Sequence, residues 1–434
     1  MASRGFTGST PARFRLTSLI SLAAIVATAV AALVAAQQLT EASDRVNEST
    51  GPVLVATQDV FASIAEADAA SAAVFLSGTP EDREQRRLYE LALERSSAQV
   101  QEVSRLVGDD DATHGSLKEI SADLTTYSGV VEAARVANTQ GVLGGPQTLT
   151  EAIGVVQEGI VPQVADITAR TQERLDEDID SGRTALLVAG LIGIIAIGIL
   201  VAGQVLLTRR TNRLFNIPLV VATGLLIAML VVLLSSWVRQ QQALEDARDG
   251  GYDSIALTAE IQNTAFRYKT LESLALIATG DPAEQAALAE QLAAVDLGSE
   301  ALIAEARVGN AAGDGLLLEA NRAADSTREQ AATAEMLTRW DRYLNTSQDI
   351  QLALDAGELA TAVELATGPG NADFNGFNTS VESVLSDNRS QFTDGLADAR
   401  NHLDLTPLLM LALPAAAAVF ALWGYQLRIR EYRR

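Results

Sequence analysis

Hydrophobic residues follow two patterns along this chain. In several segments the hydrophobic residues recur every three or four positions, as in VLVATQDVFASIAEADAASAAVFL at 53–76. This spacing predicts amphipathic helices. At a rise of about 1.5 Å per residue, an uninterrupted apolar helix of some 20 residues crosses a hydrocarbon core of about 30 Å. Four runs without a charged residue reach that length: Leu16–Gln38, Thr184–Thr208, Leu214–Val238 and Leu405–Leu427. The pattern therefore predicts an all-α membrane protein with four transmembrane helices.

The first apolar run allows two interpretations. Its small residues near Ala35 and Ala36 could mark the cleavage site of a secretory signal peptide. The run is long for the hydrophobic part of such a peptide, and no polar stretch precedes the alanines. We therefore favour an uncleaved membrane anchor, and either interpretation places 39–183 on the same side of the membrane.

Arginine is concentrated in three short segments beside the apolar runs. These are the N-terminal tail, the loop TRRTNRLFN and the C-terminal tail RIREYRR. By the positive-inside rule they face the cytoplasm, which predicts a multi-pass protein of the cell membrane with both termini cytoplasmic. The predicted parts are a tail 1–15, spans 16–38, 184–208, 214–238 and 405–427, a cytoplasmic loop 209–213, a tail 428–434, and two extracytoplasmic segments, 39–183 and 239–404.

The composition narrows the possible chemistry. The 434 residues include no cysteine and two histidines, and the formal net charge is −23. Without cysteine, the chain cannot use disulfides, thiol catalysis or thiolate metal sites. Its acidic surface argues against nucleic acid as a partner. Since the sequence contains no recognisable catalytic set, metal cluster or cofactor motif, we expect neither enzyme activity nor a cofactor.

Two helix breaks share one design. The segments FLSGTPED and LIATGDPAE each place a glycine before a capping residue, a proline and acids. Gly78 and Pro80 in the first correspond to Gly280 and Pro282 in the second. We interpret this as a tandem duplication whose two copies have parallel orientation. In the first copy, Thr79 is expected to cap a helix that begins at Pro80.

Each extracytoplasmic segment is predicted to form an antiparallel four-helix bundle, because four helices whose outer ends both enter the membrane must alternate in direction. The first bundle comprises Gln37–Ser77, Pro80–Val107, Leu117–Thr139 and a helix from Leu149 into the second span, with kinks or breaks at Pro52 and Pro162. The second comprises Gln240–Thr279, Pro282–Arg307, Leu316–Leu354 and Phe374–Asp404, with a short extra helix over Glu358–Ala366.

A module of span, bundle and span resembles the ligand-binding regions of bacterial chemoreceptors and sensor histidine kinases. The stretch RWDRYLNTSQDIQLALDAGELATAVELAT at 339–367 is similar to the third-to-fourth helix region of that superfamily. Unlike those receptors, the chain contains no HAMP linker, methylated coiled coil or kinase domain. Two modules joined by RRTNRLFN instead resemble actinobacterial GlnX-type membrane proteins.

This resemblance implies a non-enzymatic transducer that relays the availability of extracellular amino acids of the glutamate or aspartate kind. A solute-binding lipoprotein would supply the signal outside, and a soluble Ser/Thr protein kinase would receive it inside. Membrane lipid surrounds such a protein, and a homo-oligomer is compatible with it. The alternative is an envelope scaffold, or an accessory subunit of a transporter, with no signal relay.

Basic residues provide the candidate sites. Between bundle helices, a carboxylate ligand could be clamped by Arg267 and Lys269 of AFRYKTLES and by Arg339 and Arg342 of RWDRY. Salt bridges on the surface of an acidic fold would explain the same residues.

Further arginines are candidates for binding partners. Outside, Arg83, Arg86 and Arg87 of TPEDREQRR could dock an acidic partner, although acids followed by bases also suit an ordinary helix surface. Inside, the kinase is expected to contact the arginines of the loop and the C-terminal tail: Arg209, Arg210, Arg213, Arg428, Arg430, Arg433 and Arg434.

Overall fold

The computed structural model describes residues 10–78, 82–140, 144–211, 216–246, 251–278, 282–295, 297–298, 315–324, 326–401 and 405–431. All regular structure in these ranges is helical, which confirms the all-α prediction. The α-helices are α1 Thr10–Arg45, α2 Gly51–Ser77, α3 Arg83–Leu106, α4 Asp111–Thr139, α5 Gly145–Gly154, α6 Val161–Thr211, α7 Ile217–Asp246, α8 Asp253–Ile277, α9 Pro282–Ala293, α10 Leu316–Ala323, α11 Thr327–Asp355, α12 Leu359–Leu365, α13 Asn371–Asn401 and α14 Thr406–Glu431.

The chain forms two compact units. We call Met1–Asn47, Arg174–Asp246 and Asp394–Arg434 the membrane unit, and Glu48–Glu173 with Ala247–Thr393 the amphipathic unit. The amphipathic unit therefore contains most of both long polar segments of the sequence.

Four helices are long and apolar enough to cross a membrane, and they confirm a multi-pass membrane protein. The apolar stretches lie within Arg15–Ser77, Arg183–Leu206, Ile217–Ala243 and Thr406–Leu427. In the first of these, the uncharged run begins at Leu16, and the residues from Glu48 onward belong to the amphipathic unit. Which side the termini face stays a prediction from the arginine distribution.

The surface of the membrane unit is itself apolar. Side chains such as Leu19, Leu191, Val231 and Leu411 are 59–63% exposed. A soluble protein rarely exposes so many large apolar side chains on adjacent helices, whereas lipid tails accommodate them. Inside the unit, polar contacts join neighbouring helices, for example the pair of hydroxyls of Ser236 on α7 and Thr406 on α14, 2.9 Å apart.

Two prolines of the amphipathic unit follow π-helical turns. Such turns occur at Val46–Thr50, Val155–Ile160 and Ala366–Gly370. Pro52 and Pro162 directly follow the first two, at the second position of α2 and of α6. Since a proline cannot donate a backbone hydrogen bond, the wider turn before it lets the helix continue. The predicted interruptions at these prolines are thus local π-turns, and the helical run from α1 into α2 is unbroken.

The first half of the amphipathic unit, Glu48–Glu173, has a core made by four helical segments. Buried apolar residues come from α2, α3, α4 and the α5–α6 run, as in Val60, Ile64, Tyr89, Val103, Ile120, Tyr127, Val156 and Ile160. Tyr89 and Tyr127 pack with ring centroids 6.3 Å apart. This core matches the periodicity from which the helices were predicted.

The second half, Ala247–Thr393, has an aromatic core. Trp340 and Tyr343 of α11 pack against Phe374 and Phe377 of α13, with ring centroids 4.9–5.3 Å apart for the closest pairs. Tyr268 of α8 meets Trp340 edge-on at 5.5 Å. Aromatic pairs in this geometry stabilise a core beyond the area they bury.

Helices α2 and α8, the first helix of each half, pack against each other. Nine consecutive residues of α2, Ala67 to Phe75, are buried, and so are eight of α8, Lys269 to Leu276. A helix that is buried on all sides must have partners on all sides. Here, one side faces the helix's own half and another faces the opposite half, where Ala72 and Phe75 contact the cluster around Leu271 and Leu274.

Several predicted helix ends differ from the structure. Gly78 ends α2 with a positive φ of 66°, as expected of a glycine at a break. Thr79 and Pro80 lie outside the described residues. The N-cap of α3 is Asp82, whose carboxylate accepts from the backbone N–H groups of Glu84 and Gln85. The predicted cap at Thr79 thus stays a prediction, while the described start of α3 is capped by Asp82, which satisfies two N–H groups at the helix end.

The second half also departs from the predicted boundaries. Helix α9 ends at Ala293, so the predicted helix Pro282–Arg307 is too long, and residues 299–314 lie outside the description. The predicted helix Leu316–Leu354 is interrupted where Ala324 adopts an extended ψ of 112°, and Ser326 caps α11. A serine side chain that accepts from the backbone offers an alternative to helix continuation.

Candidate functional site

A cavity of about 520 Å³ lies between the two halves of the amphipathic unit. Small-molecule sites in proteins usually have volumes of about 300–1,000 Å³. Its walls come from α2, from the α5–α6 run, from α8 and from one residue of α9. The packing of α2 against α8 therefore creates the cavity, because each helix lines it with the face that its own half does not cover.

Three buried polar side chains line this cavity, and we call them the floor: Asp68, Asn263 and Thr270. They are only 5%, 8% and 5% exposed. Within the described part of the chain, the Asp68 Oδ1 atom, both amide atoms of Asn263 and the Thr270 hydroxyl make no hydrogen bond. Buried polar atoms without a partner are rare and costly in folded proteins. Three together beside one cavity indicate a place where a polar ligand belongs.

The Asp68 carboxyl has unusual electrostatics. Burial raises its pKa from 3.8 to about 7, and the nearby Tyr127 hydroxyl opposes that shift. Burial also raises the pKa of Tyr127 well above 10, and the carboxylate of Asp68 acts in the same direction. Because the charged form of Asp68 is poorly solvated, a cationic group in the cavity would gain a strong charge-assisted hydrogen bond.

Charged and polar residues at the rim of the cavity are exposed to solvent. These are Gln157, Glu260, Arg267 and Gln291. Apolar side chains, among them Phe61, Val156, Leu271 and Leu274, form the walls between rim and floor. The cavity thus offers a carboxylate at depth, a guanidinium at the mouth and an apolar surface in between.

A second, smaller cavity of about 230 Å³ occupies the other side of the α2–α8 pair. Besides α2 and α8, the first cavity is lined by the α5–α6 run, the fourth helix of the first half, and by α9, the second helix of the second half. The second cavity is lined by α13, the fourth helix of the second half, and by α3, the second helix of the first half. This relationship is what a duplication would produce. The lining of the second cavity is different, since it contains Glu66, Glu84, Glu382 and Lys269.

One glutamate that lines the second cavity already has a basic partner in the protein. Glu66 accepts from Arg95 across 2.7 Å. Burial raises the pKa of Glu66, Arg95 opposes the shift, and Glu382 adds to it. The acids of the second cavity have protein partners or repel one another. This cavity therefore lacks the first cavity's combination of a buried carboxylate, a guanidinium and an apolar wall.

Lys269, a predicted ligand residue, belongs to a buried network of the second half. Its Nζ atom donates to Glu272 Oε2 at 2.9 Å and lies 3.4 Å from the carbonyl oxygen of Ala366. Glu272 also accepts from the hydroxyls of Tyr343, at 2.9 Å, and Ser347, at 2.5 Å. These contacts join α8 to α11 and to the π-turn before α13, and they satisfy both charges internally.

The structure does not bring the four predicted ligand residues together. Arg267 is at the rim of the first cavity. Both other arginines lie on α11, where Arg342 is exposed and the half-buried Arg339 donates to Glu335 Oε1 at 2.7 Å. Lys269 faces the core and the second cavity.

The predicted docking arginines at the start of α3 have separate environments. Arg86 pairs with Glu90 and Glu132, and its guanidinium lies 5.7 Å from the centre of the Tyr89 ring. Arg87 pairs with Glu84 at 2.7 Å on the surface. Arg83 is exposed. Arg86 and Arg87 are therefore engaged within the protein.

The side chains of the predicted cytoplasmic arginines lie outside the described residues. The backbones of Arg209 and Arg210 lie in α6 and those of Arg428 and Arg430 in α14, but their side chains are outside the described residues. Arg213, Arg433 and Arg434 lie outside altogether.

Sequence reasoning missed the floor of the first cavity. Asp68 and Thr270 interrupt apolar stretches of α2 and α8, which is a signal in the sequence. A polar residue at an apolar position indicates either a buried partner or a site. The sequence did not reveal that the two helices face each other, and without that pairing the residues remain unrelated.

Comparison with protein families supports a sensory role. Residues 42–180 match the profile of a family described as actinobacterial sensor domain. The matched region covers the first half of the amphipathic unit and its two boundaries. No curated protein matches the chain. The match supports a sensor or signal-transducing protein of actinobacterial type, and it favours a sensor over an enzyme.

Proposed function

We propose that this protein is a transmembrane signal transducer that reports extracytoplasmic amino-acid availability to the cytoplasm. The observation that carries the proposal is the sensor-family match over residues 42–180, the region that supplies one wall of the first cavity. Helix α6 begins in the amphipathic unit and ends in the membrane unit, so one helix is common to both. A signal requires a two-state element that the ligand biases, and a helix shared by the two units is suited to that role.

The finer parts of the proposal come from the resemblance to GlnX-type proteins. Outside, a solute-binding lipoprotein loaded with a glutamate- or aspartate-like amino acid contacts the surface around Arg83, Arg86 and Arg87. Inside, a soluble Ser/Thr protein kinase contacts the arginines of the 209–213 loop and the C-terminal tail. Charge complementarity across such contacts accelerates association and selects partners.

The test is the phosphorylation of the kinase's substrate in cells given or deprived of amino acids. One variant replaces Arg209, Arg210 and Arg213 with glutamine and also removes 428–434. Its matched control replaces the same three arginines with lysine and keeps the tail, which retains the positive charge that sets topology.

The glutamine variant is expected to insert in the membrane and to lose the amino-acid response, while the lysine control keeps it in part. A fully inserted glutamine variant with an unchanged response would contradict the proposal. If that variant instead impaired solute uptake with no effect on phosphorylation, the scaffold or transporter-subunit alternative would gain support.

A further inference from the structure

The floor of the first cavity has a defined chemical requirement. Asp68 Oδ1 can only accept a hydrogen bond when ionised, the Asn263 amide offers one acceptor and two donors, and the Thr270 hydroxyl can do either. All these atoms are buried and have no partner within the described residues. A ligand group with several N–H donors and a positive charge would satisfy the carboxylate and the Thr270 hydroxyl at once. A primary ammonium has these properties.

The rim has the opposite requirement. Arg267 lies at the mouth of the same cavity, one helical turn before Thr270 on α8. Its guanidinium is a planar donor that suits a carboxylate. Arg267 and Thr270 are one turn apart, which suits the carboxylate and ammonium that an α-amino acid carries on one carbon, and the apolar wall formed by Phe61 and Leu271 is left for the ligand's side chain.

We infer that the first cavity binds a free α-amino acid with an uncharged side chain, whose ammonium group contacts Asp68 and Thr270 and whose carboxylate contacts Arg267. This is a direct input into the protein. It goes beyond the proposed relay from a solute-binding lipoprotein and does not depend on it.

The charge balance of the lining selects against acidic amino acids. Among the described residues that line the cavity, Asp68 and Glu260 are acids and Arg267 is the one cation. A second carboxylate on the ligand would lie near two acids with no second cation among those residues, and like charges in such a site repel. A basic side chain would have Glu260 as a partner but would forgo the apolar wall. The chemistry therefore differs from the glutamate- or aspartate-like solute that the resemblance implies.

The second cavity is not expected to take the same ligand, although duplication relates the two. It is lined by glutamates and by Lys269, whose Nζ already donates to Glu272. A carboxylate ligand would meet Glu66, Glu84 and Glu382 there. One amino acid per chain is thus the predicted stoichiometry.

The inference can be tested by isothermal titration of the full-length protein in nanodiscs. The probes are L-leucine, L-glutamine, L-glutamate and L-lysine. For whichever binds, two single-charge analogues are added, the amine that lacks its carboxylate and the carboxylic acid that lacks its ammonium. We expect an uncharged amino acid to bind with one site per chain, and each analogue to bind at least about tenfold more weakly, since each loses one charge-assisted contact.

Two variants and a matched control locate the site. Asp68→Asn and Arg267→Gln should each weaken binding at least about tenfold. Arg339→Gln changes the same residue type in the same half, away from the cavity, and should leave binding unchanged. Asp68→Asn removes a poorly solvated charge and is therefore expected to fold, which thermal unfolding checks.

Three outcomes would overturn the inference. They are the absence of binding by all four amino acids, equal binding to a folded Asp68→Asn or Arg267→Gln variant, and a preference for L-glutamate over the uncharged amino acids. The last would show that Asp68 does not select the ammonium end of the ligand.

Discussion

Lys269 Nζ and Glu272 Oε2 form an ion pair 2.9 Å long whose side chains are 4% and 0% exposed. The pair lies one turn apart on α8, where sequence alone would place an ordinary surface salt bridge. Tyr343 and Ser347 of α11 complete the hydrogen bonds of the carboxylate. The Lys269 ammonium also lies 5.4 Å from the centre of the Tyr343 ring. The pair thus fixes how α8 and α11 pack.

The first prediction concerns this pair. Replacing Lys269 with methionine leaves the Glu272 carboxylate buried without its counter-ion, which should reduce the free energy of unfolding by about 3–5 kcal/mol. The double variant Lys269→Met/Glu272→Gln retains an acceptor for the two hydroxyls and removes both charges, so it should recover most of the loss. Denaturant unfolding of the solubilised protein measures both. Equal destabilisation of the single and double variants would show that the charges do not interact.

The second prediction is a pH dependence caused by Asp68. Its pKa is about 7 in the folded protein and 3.8 as the ordinary value. Between these values the folded state binds more protons than the unfolded state, so stability from this group falls as the pH rises from about 4 to about 7 and is constant above. Asp68→Asn should flatten the pH profile in that window.

Comparison of wild type with Asp68→Asn isolates this contribution. Tyr127 and Tyr89 face Asp68, and burial raises the pKa of both, so neither titrates in the window. Glu260 and Arg267 line the same cavity and are unchanged in the variant, as are Asp59 and Glu66, whose pKa values burial also raises. Thermal unfolding midpoints at pH 4.5 and 7.5 provide the readout. Parallel profiles for the two proteins would mean that Asp68 is not held in a poorly solvated environment.

The third prediction uses two glycines with opposite surroundings. A Cβ at Gly251 would lie 2.9 Å from Phe392 Cα, and backbone atoms cannot move aside cheaply. Gly251→Ala should therefore destabilise the protein by about 1–3 kcal/mol through overpacking.

Gly154→Ala is the matched control for that change. Gly154 is helical, and a Cβ there would contact nothing within 4 Å. An alanine in an open helical position should stabilise by about 0.5–1 kcal/mol, because glycine loses more conformational freedom on folding. Thermal unfolding should thus shift in opposite directions for the two variants, and a shift in the same direction would contradict the close packing at Gly251.

Part of this fold could be predicted from the sequence for clear physical reasons. Long uncharged runs leave few alternatives to membrane helices, and the helix break at Gly78 follows from the conformational freedom of glycine. The N-cap of α3 was harder to predict, since threonine and aspartate are both good caps. Both Thr79 and Asp82 precede the helix, and the structure uses Asp82. Neighbouring residues alone do not decide between two such candidates.

The candidate site could not be predicted, because it depends on pairing between segments far apart in sequence. Nothing local to Asp68 indicates that it faces α8, and nothing local to Thr270 indicates α2. The same limit explains Lys269, which the sequence places beside Arg267 although the structure directs the former into the core and the latter to the cavity rim. Helical periodicity identifies a buried face, but not the helix that covers it.

The central claim is that ligand binding in the amphipathic unit changes the membrane unit, and cross-linking within the membrane unit tests it most directly. The chain has no cysteine, so the pair Ser236→Cys and Thr406→Cys, at positions whose hydroxyls are 2.9 Å apart, reports on α7 and α14 alone. The rate of disulfide formation is measured in membrane vesicles with and without the L-amino acid that binds the cavity. The account predicts a rate that changes with the amino acid and no longer changes in the Arg267→Gln background. An identical rate in both conditions, with binding confirmed in the same vesicles, would contradict it.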